Sequence, residues 1–220
     1  MRLFQYLIGE ILMLKRGFLQ KSFSQNGEDI LIDNLLGNRK SGFYVDVGAY
    51  NPTRLSNTKR FYARGWTGIN IEPDPRKIKK FYNSRPRDTN LNLGIANKSG
   101  KLEYFKFEPE TLSTFSKKAA ENYKKEGFKL VETSRIKVSR LSEIFKEYCK
   151  NKKIDFLSVD VEGYDLEVLK SNDWGKFRPT IVCVEADILT DEAMERLLVK
   201  ARYKKVYKNH NNLIFLLKKQ

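Results

Sequence analysis

Cysteine, histidine and proline are scarce in this sequence, and each shortage excludes a class of protein. Two cysteines and one histidine in 220 residues provide neither a disulfide framework nor the paired ligands of a zinc ribbon. Six prolines and 13 glycines are too few for a collagen-like or low-complexity chain. So few thiols favour a reducing compartment, and we therefore expect a cytoplasmic protein.

Long apolar runs are also missing. The most apolar terminal stretch, residues 3–14, contains polar residues and is shorter than the roughly 20 apolar residues that one bilayer crossing needs. Lys15, Arg16 and Lys21 follow it where a signal peptide needs small residues, which argues against secretion. We interpret residues 1–22 as an amphipathic helical extension, with peripheral contact at the inner face of the membrane as the alternative.

Basic residues are abundant instead. The chain has 42 lysines and arginines against 27 aspartates and glutamates, which gives a net charge of +15. They concentrate in residues 73–88, 117–153 and 200–220, so the positive field should be regional. Such a surface suits an anionic or lipid-linked glycan, a membrane face or RNA, and it is equally expected of a solvated, lysine-rich exterior.

Strand-like and helix-like segments alternate along residues 23–220, which we interpret as a single domain. This alternation predicts an α/β fold with a doubly wound, mostly parallel sheet that ends in a C-terminal antiparallel hairpin. The predicted strands are 43–48, 67–71, 90–95, 154–159 and 180–184, with an edge strand at 101–107 and hairpin strands at 204–207 and 213–217. The predicted helices are 30–36, 53–64, 75–84, 139–150 and 191–200, and a further helix begins at 166.

Asp46, Gly48 and Glu72 stand at the ends of the first two predicted sheet strands. Gly48 lets the backbone approach a ligand closely, and Glu72 is placed where nucleotide-binding α/β proteins bind ribose hydroxyls. The second and third glycines of a dinucleotide-binding loop are absent. This pattern favours a plain nucleoside cofactor over a dinucleotide.

Asp160 and Glu162 end the strand at 154–159. Alternate residues of an extended chain point to the same side, so both carboxylates should face the crevice at the sheet edge. They could position a substrate hydroxyl, remove its proton or bind a divalent cation. Glu185 and Asp187 follow the next strand and could add oxygen atoms to the same cluster, and the sequence does not choose between these roles.

Two polar segments lie outside the predicted sheet. Ser24–Asp29 precedes a helix, and its hydrogen-bonding side chains suit either helix capping or a lid over a small ligand. The one histidine, His210, falls in the asparagine-rich turn of the predicted hairpin. We therefore expect no histidine-dependent mechanism.

Four ordered segments together resemble the FkbM family of S-adenosylmethionine-dependent methyltransferases. They are Ser24–Asp29, Gly42–Ala49, Gly65–Pro73 and Ile154–Gly163. The resemblance implies a class I methyltransferase (Rossmann-like) fold. It also implies methyl transfer from S-adenosylmethionine to a hydroxyl of a sugar, glycan or glycosylated metabolite.

The resemblance further implies a role for individual residues. Asp160 and Glu162 would be catalytic, close to the transferred methyl group and the acceptor. The implied cofactor-binding residues are Asp46 and Gly48 at the methionine part, Glu72 at the ribose, Asn92, Gly94 and Ile95 at the adenine, Gln25 and Glu28 closing the site, and Asp160. Because residues 92–97 contain no acidic side chain, the adenine amine would contact the backbone.

Two alternative functions stay open at this point. One is an RNA methyltransferase that the basic surface recruits, and the other is a catalytically inactive, membrane-associated scaffold with the same fold. RNA binding falls steeply with salt because counterions are released, whereas binding of a neutral sugar does not. Titration with the cofactor would identify an inactive scaffold.

Overall fold

Ten strands and seven α-helices alternate along residues 22–187 and 189–219, the part of the chain that the computed structural model describes. The strands are β1 (Phe43–Val47), β2 (Thr67–Ile71), β3 (Thr89–Leu91), β4 (Gly94–Ile95), β5 (Gly100–Glu108), β6 (Lys129–Ser139), β7 (Phe156–Val159), β8 (Ile181–Glu185), β9 (Tyr203–Lys208) and β10 (Asn212–Leu217). The α-helices are α1 (Glu28–Leu35), α2 (Lys59–Ala63), α3 (Pro75–Ser84), α4 (Lys117–Lys125), α5 (Leu141–Tyr148), α6 (Asp165–Lys170) and α7 (Asp191–Lys200), and a 3₁₀ turn covers Glu110–Leu112.

The predicted amino-terminal helix in residues 1–22 lies, apart from Ser22, outside the described residues. Within 22–187 and 189–219, no helix has the length and hydropathy that a membrane crossing requires. The two cysteines, Cys149 and Cys183, are both free and buried.

The central sheet confirms the predicted doubly wound architecture. Its strand order is β3-β2-β1-β7-β8-β10-β9; the first five strands are parallel, and β10 and β9 form the antiparallel C-terminal hairpin. The chain reverses its winding direction between β1 and β7. In open α/β sheets the ligand crevice lies at this point, outside the carboxyl ends of the strands.

The strand register places four predicted residues at one edge of the sheet. Val47 pairs with Ile71 on one side and with Val159 on the other, and Val159 pairs in turn with Val184. The residues that follow these four strand positions are therefore neighbours at the same level. They are Gly48, Glu72, Asp160 and Glu185.

The core explains why these segments form strands. Every residue of β1 and β7 is buried, as expected when helices cover both faces of a parallel sheet. On one face Tyr44 and Phe156 pack with Phe61 and Trp66, near α1 and α2. The other face packs a larger apolar cluster against α5, α6 and α7. The rigid sheet thus holds its carboxyl edge in place.

A second, three-stranded sheet corrects two predictions. The expected edge strand 101–107 is β5, which belongs to this separate sheet with order β4-β6-β5, and the expected strand 90–95 divides into β3 and β4. Strand β6 was not predicted, because its sequence mixes polar residues on both faces and so lacks the apolar alternation of a half-buried strand. Its long antiparallel pairing with β5 stabilises it instead.

The predicted helix 53–64 is also shorter, since α2 covers only Lys59–Ala63. The Asn51 side-chain oxygen accepts hydrogen bonds from the backbone N–H groups of Thr53 and Arg54, both at 3.0 Å. Asparagine commonly stabilises turns in this way, in competition with helix formation. The loop that results contributes to the site described next.

Candidate active site

A cavity of about 230 Å³ opens at the carboxyl ends of β1, β2, β7 and β8. Seven of the ten predicted site residues line it: Gln25, Gly48, Glu72, Gly94, Ile95, Asp160 and Glu162. The other three predicted residues, Glu28, Asp46 and Asn92, are not among its lining residues. The inner end of the cavity is therefore formed by the sheet edge that the strand register brings together.

Gly48 lines the cavity where two strand ends approach each other closely. Its φ angle is +79°, and a Cβ atom at this position would lie 1.8 Å from the backbone oxygen of Asp160. Only glycine fits this left-handed conformation and this approach of two strand ends. Glycine at this position therefore lets the end of β1 lie directly against Asp160 at the end of β7.

Glu72 is a buried carboxylate with remaining capacity to accept hydrogen bonds. It is 3% exposed; one oxygen accepts from the Tyr50 N–H at 3.0 Å and the other from the Asp74 N–H at 2.8 Å. Burial raises the pKa of Glu72, and nearby Lys77 and the two N–H groups oppose this. A carboxylate oxygen has two lone pairs, so both oxygens can still accept from a diol such as ribose.

The adjacent part of the cavity is apolar. Gly94 and Ile95 line it together with Leu112 and Phe115, and a Cβ atom on Gly94 would lie 2.4 Å from the Phe115 ring. The Phe115 ring therefore packs directly against Gly94, and no larger residue fits at this position. Asn92 lies outside this lining, and its side-chain amide donates to the backbone oxygens of Glu72 and Pro73, both at 2.9 Å.

Asp46 is buried in β1 and stabilises a loop. Its carboxylate accepts from the Thr58 hydroxyl at 2.6 Å, and fully buried Arg85 donates to the same hydroxyl at 2.7 Å and to the Pro52 carbonyl at 2.6 Å. Burial raises the pKa of Asp46, while Arg85 and Thr58 oppose the shift. Asp46 therefore positions the loop that carries the lining residues Tyr50 and Asn57.

Three carboxylates meet at the other end of the cavity. Oxygen atoms of Asp160, Glu162 and Glu185 all lie within 4.8 Å of one another. The Glu185 carboxylate accepts from the Glu162 N–H at 3.1 Å, and the Tyr123 hydroxyl donates to the Glu162 carboxylate at 3.2 Å. Asp187, which the sequence also suggested for this cluster, instead caps a turn by accepting from the Leu189 N–H at 3.0 Å.

Burial and the neighbouring negative charges raise the pKa values of these three carboxyl groups. Burial, then the charges of Asp46 and Glu28, raise the pKa of Asp160 to about 6. The same causes, burial and neighbouring carboxylates, raise the pKa values of Glu162 and Glu185 well above normal. The cluster can therefore accept a proton near neutral pH, and its oxygen atoms are the ligands that a divalent cation prefers.

A fourth carboxylate beneath the cluster leads to a stability prediction. Asp165 is 2% exposed, accepts from the N–H groups of Val161 and Gly163, and has a pKa that burial and Asp160 raise to about 7. The folded state then holds a proton more tightly than the unfolded state, so stability falls as pH rises from about 4 to 7, by up to about 1.4 kcal/mol per pH unit. We expect Asp165→Asn to flatten this slope in thermal unfolding measured across that range. Equal slopes in the two proteins would contradict the assignment.

Glu28 lies behind the cavity wall and connects two distant segments. It accepts hydrogen bonds from the side-chain amides of Asn209 and Asn212, in the turn of the C-terminal hairpin. That turn lies at the carboxyl end of β8, because β10 pairs antiparallel with β8 and places Asn212 beside Glu185. Asn211 and Asn212 line the cavity, which sequence reasoning did not predict.

Lys77 is a second residue that sequence reasoning missed. Helix α3 begins with Asp74 as its N-cap and Pro75 at its first position, and it buries Lys77 beside Ile78 and Phe81. The Lys77 ammonium lines the cavity, 3.0 Å from the Glu110 carbonyl and 4.8 Å from the centre of the Tyr50 ring. Its position on the apolar face of an amphipathic helix was a signal that could have identified it.

Comparisons with known proteins identify the family and a similar fold. The family model of the methyltransferase FkbM domain matches residues 46–205. The crystal structure of methyltransferase FkbM from Methylobacillus flagellatus KT is similar in fold, with a TM-score of 0.51 and 15% sequence identity. The match covers 80% of this chain and 44% of that one, so the chain spans less than half of that protein's length. No curated protein matches the sequence. Because the family model covers well over half of its residues, this chain belongs to the FkbM methyltransferase family.

Proposed function

We propose that the protein is an S-adenosylmethionine-dependent O-methyltransferase whose acceptor is a hydroxyl of a sugar, glycan or glycosylated metabolite. One observation carries the proposal: a single cavity joins a nucleoside half, with Gly48 and Glu72, to a carboxylate half, with Asp160 and Glu162. Membership of the FkbM family supports methyl transfer as the reaction.

The residues of the nucleoside half fit this cofactor. The free lone pairs of Glu72 match the two ribose hydroxyls, and the apolar lining by Ile95, Leu112 and Phe115 suits an adenine ring. The methionine part would lie beside Gly48, between this lining and the carboxylate half. When bound, S-adenosylmethionine supplies an electrophilic methyl group on a positively charged sulfur.

The carboxylate half would prepare the acceptor. The Asp160 carboxylate has no hydrogen-bond partner among residues 22–187 and 189–219, so it is available to accept one from an acceptor hydroxyl and to take its proton. Tyr123 and the Glu185–Glu162 hydrogen bond hold the neighbouring carboxylates in place. Much of the remaining catalysis would come from alignment of the reacting groups.

The charge of the cavity favours an uncharged reacting group over RNA. Four lining residues are acidic (Glu72, Asp160, Glu162 and Glu185), and among the described lining residues Lys77 is the only basic one. Phosphates next to the acidic cluster would be repelled. The net charge of +15 would instead attract an anionic or lipid-linked part of the acceptor, or a membrane face, outside the cavity.

The test is incubation with radiolabelled S-adenosylmethionine and fractionated cell glycans, with total RNA in parallel. We expect label in a glycan fraction, with transfer to its neutral part insensitive to moderate salt. Label in RNA, lost steeply as salt rises, would overturn the sugar assignment in favour of the RNA enzyme. Binding of S-adenosylmethionine without any label transfer would contradict enzymatic function.

Glu72→Gln tests the nucleoside half. We expect cofactor affinity to fall about 10- to 100-fold, because charged hydrogen bonds contribute about 1.5–3 kcal/mol and the amide nitrogen of glutamine would face one of the two backbone N–H donors. Calorimetric titration with S-adenosylhomocysteine measures this, and Glu121→Gln on the exposed face of α4 is the control. Unchanged affinity in a folded Glu72→Gln variant would refute the assignment.

A further inference from the structure

The carboxylate half of the cavity is closed by the turn of the C-terminal hairpin, residues 209–212, held in place by Glu28. Glu28 is 1% exposed. One of its oxygens accepts from the side-chain amides of Asn209 at 2.9 Å and Asn212 at 3.1 Å, and the other accepts from the Asn26 N–H at 2.8 Å. All three of these donors belong to the protein, and through them Glu28 joins the segment before α1 to this turn.

The turn is rigid for a second reason. The Asn209 side-chain oxygen accepts from the N–H groups of Asn211 at 2.9 Å and Asn212 at 2.6 Å. The Asn211 carbonyl accepts from the Ala186 N–H at 2.8 Å, which attaches the turn to the end of the strand that carries Glu185. The position of Asn211 is thereby fixed relative to the carboxylate cluster.

Asn211 differs from its neighbours in the turn. It lines the cavity, yet its side-chain amide has no hydrogen-bond partner among residues 22–187 and 189–219. An amide offers both donors and an acceptor, whereas the three carboxylates beside it only accept when ionised. Together these groups match a polyol: its hydroxyls donate to the carboxylates and one of its oxygens accepts from the amide.

We propose that Asn211 is a specificity-determining residue that hydrogen-bonds an oxygen of the acceptor, and that Glu28 is its positioning residue through Asn209. This inference rests on the proposed function. It reassigns Glu28, which the family resemblance placed on the cofactor, to the opposite half of the cavity. In the cofactor half, Gly48 and Glu72 follow β1 and β2, on the other side of β7, and Gly94 begins β4.

The experiment compares Asn211→Ala, Glu28→Ala and Glu28→Gln with the wild type. The acceptor is the glycan fraction that takes up label, used in a dilution series, and S-adenosylhomocysteine is the probe for cofactor affinity. We expect Asn211→Ala and Glu28→Ala to raise the apparent KM for the glycan about tenfold, with S-adenosylhomocysteine affinity changed less than about threefold. Measured at about pH 8, where Asp160 is ionised with or without the charge of Glu28, kcat should also change less than about threefold. His210→Ala, an exposed residue of the same turn, is the control and should change none of these quantities.

Glu28→Gln separates positioning from charge. Its amide oxygen can still accept from Asn209 and Asn212, so it should restore most of the acceptor affinity that Glu28→Ala loses. Equal loss of S-adenosylhomocysteine affinity in Glu28→Gln and Glu28→Ala would overturn the proposal, because the charge of Glu28 would then act on the cofactor. An unchanged glycan KM in Asn211→Ala would overturn it as well.

Direct binding of the glycan fractions to immobilised protein distinguishes a failure of the proposed function from a failure of the Asn211 assignment. If the wild type retains a fraction without transferring label, the proposed function fails, and weaker retention by Asn211→Ala still supports the acceptor site. If the wild type neither labels nor retains any fraction, the Asn211 assignment fails too.

Discussion

Replacing Gly48 by alanine is expected to lower cofactor affinity by about 100-fold or more and to destabilise the fold by about 3 kcal/mol. The added Cβ would lie 1.8 Å from the Asp160 backbone oxygen, and that oxygen belongs to a strand end that cannot rotate away as a side chain would. The ends of β1 and β7 would have to separate, and Asp160 would move with its strand. Calorimetry with S-adenosylhomocysteine and thermal unfolding measure the two effects.

Gly37→Ala is the matched control for this variant. Gly37 also has a left-handed backbone, with φ of +71°, but no atom lies within 4 Å of the position of an added Cβ. Gly37→Ala should lower the stability of the fold by only about 1 kcal/mol, the cost of a left-handed backbone at alanine, and should keep full cofactor affinity. Similar losses of affinity in the two variants would show that backbone strain, rather than the contact with Asp160, is responsible.

The second large effect is expected from Asp160→Asn, which should reduce kcat about 100- to 10,000-fold, the usual contribution of a general base. In the wild type, turnover should fall as pH decreases through about 6, because burial and the charges of Asp46 and Glu28 raise the pKa of Asp160 to about 6 and the protonated acid cannot accept the hydroxyl proton. The variant should lack this acidic limb. Turnover of the labelled glycan fraction between pH 5 and 8, roughly the range that covers this transition, measures both effects.

Asp187→Asn is the control, since Asp187 follows the next strand but does not line the cavity. Its turnover and pH profile should equal those of the wild type. If Asp160→Asn keeps both the rate and the acidic limb, another group removes the proton. Glu162 and Glu185, whose oxygens lie within 4.8 Å, would then be the next residues to test.

The sequence predicted the half of the site that depends on the central sheet. Strand segments such as Phe43–Val47 and Phe156–Val159 are fully buried and, apart from Asp46 and Ser158, apolar, and such runs form strands in many contexts. Once parallel strands are assumed, their carboxyl ends must meet at one edge. The convergence of Gly48, Glu72 and Asp160 follows from that geometry.

The remaining part of the site could not be predicted in this way. Strand β6 has no clear apolar alternation, so the sequence did not predict the second sheet, which contributes Tyr104 to the cavity. Glu28 and Asn209 are separated by 181 residues, and no local pattern links them. The family resemblance placed Asp46 at the methionine part of the cofactor, whereas in the structure its carboxylate accepts a hydrogen bond from Thr58 and does not line the cavity.

Short-range periodicity and turn chemistry therefore determined the order of strands and helices and the carboxylates at the strand ends, because these depend on neighbouring residues along the chain. The tertiary structure alone decided which side chains face the cavity and which support it from behind. Hydrogen bonds between distant segments and the closeness of carboxylates from different strands set those roles, and they exist only after the chain has folded. The roles of Asn211 and Glu28 in the site depend on such contacts.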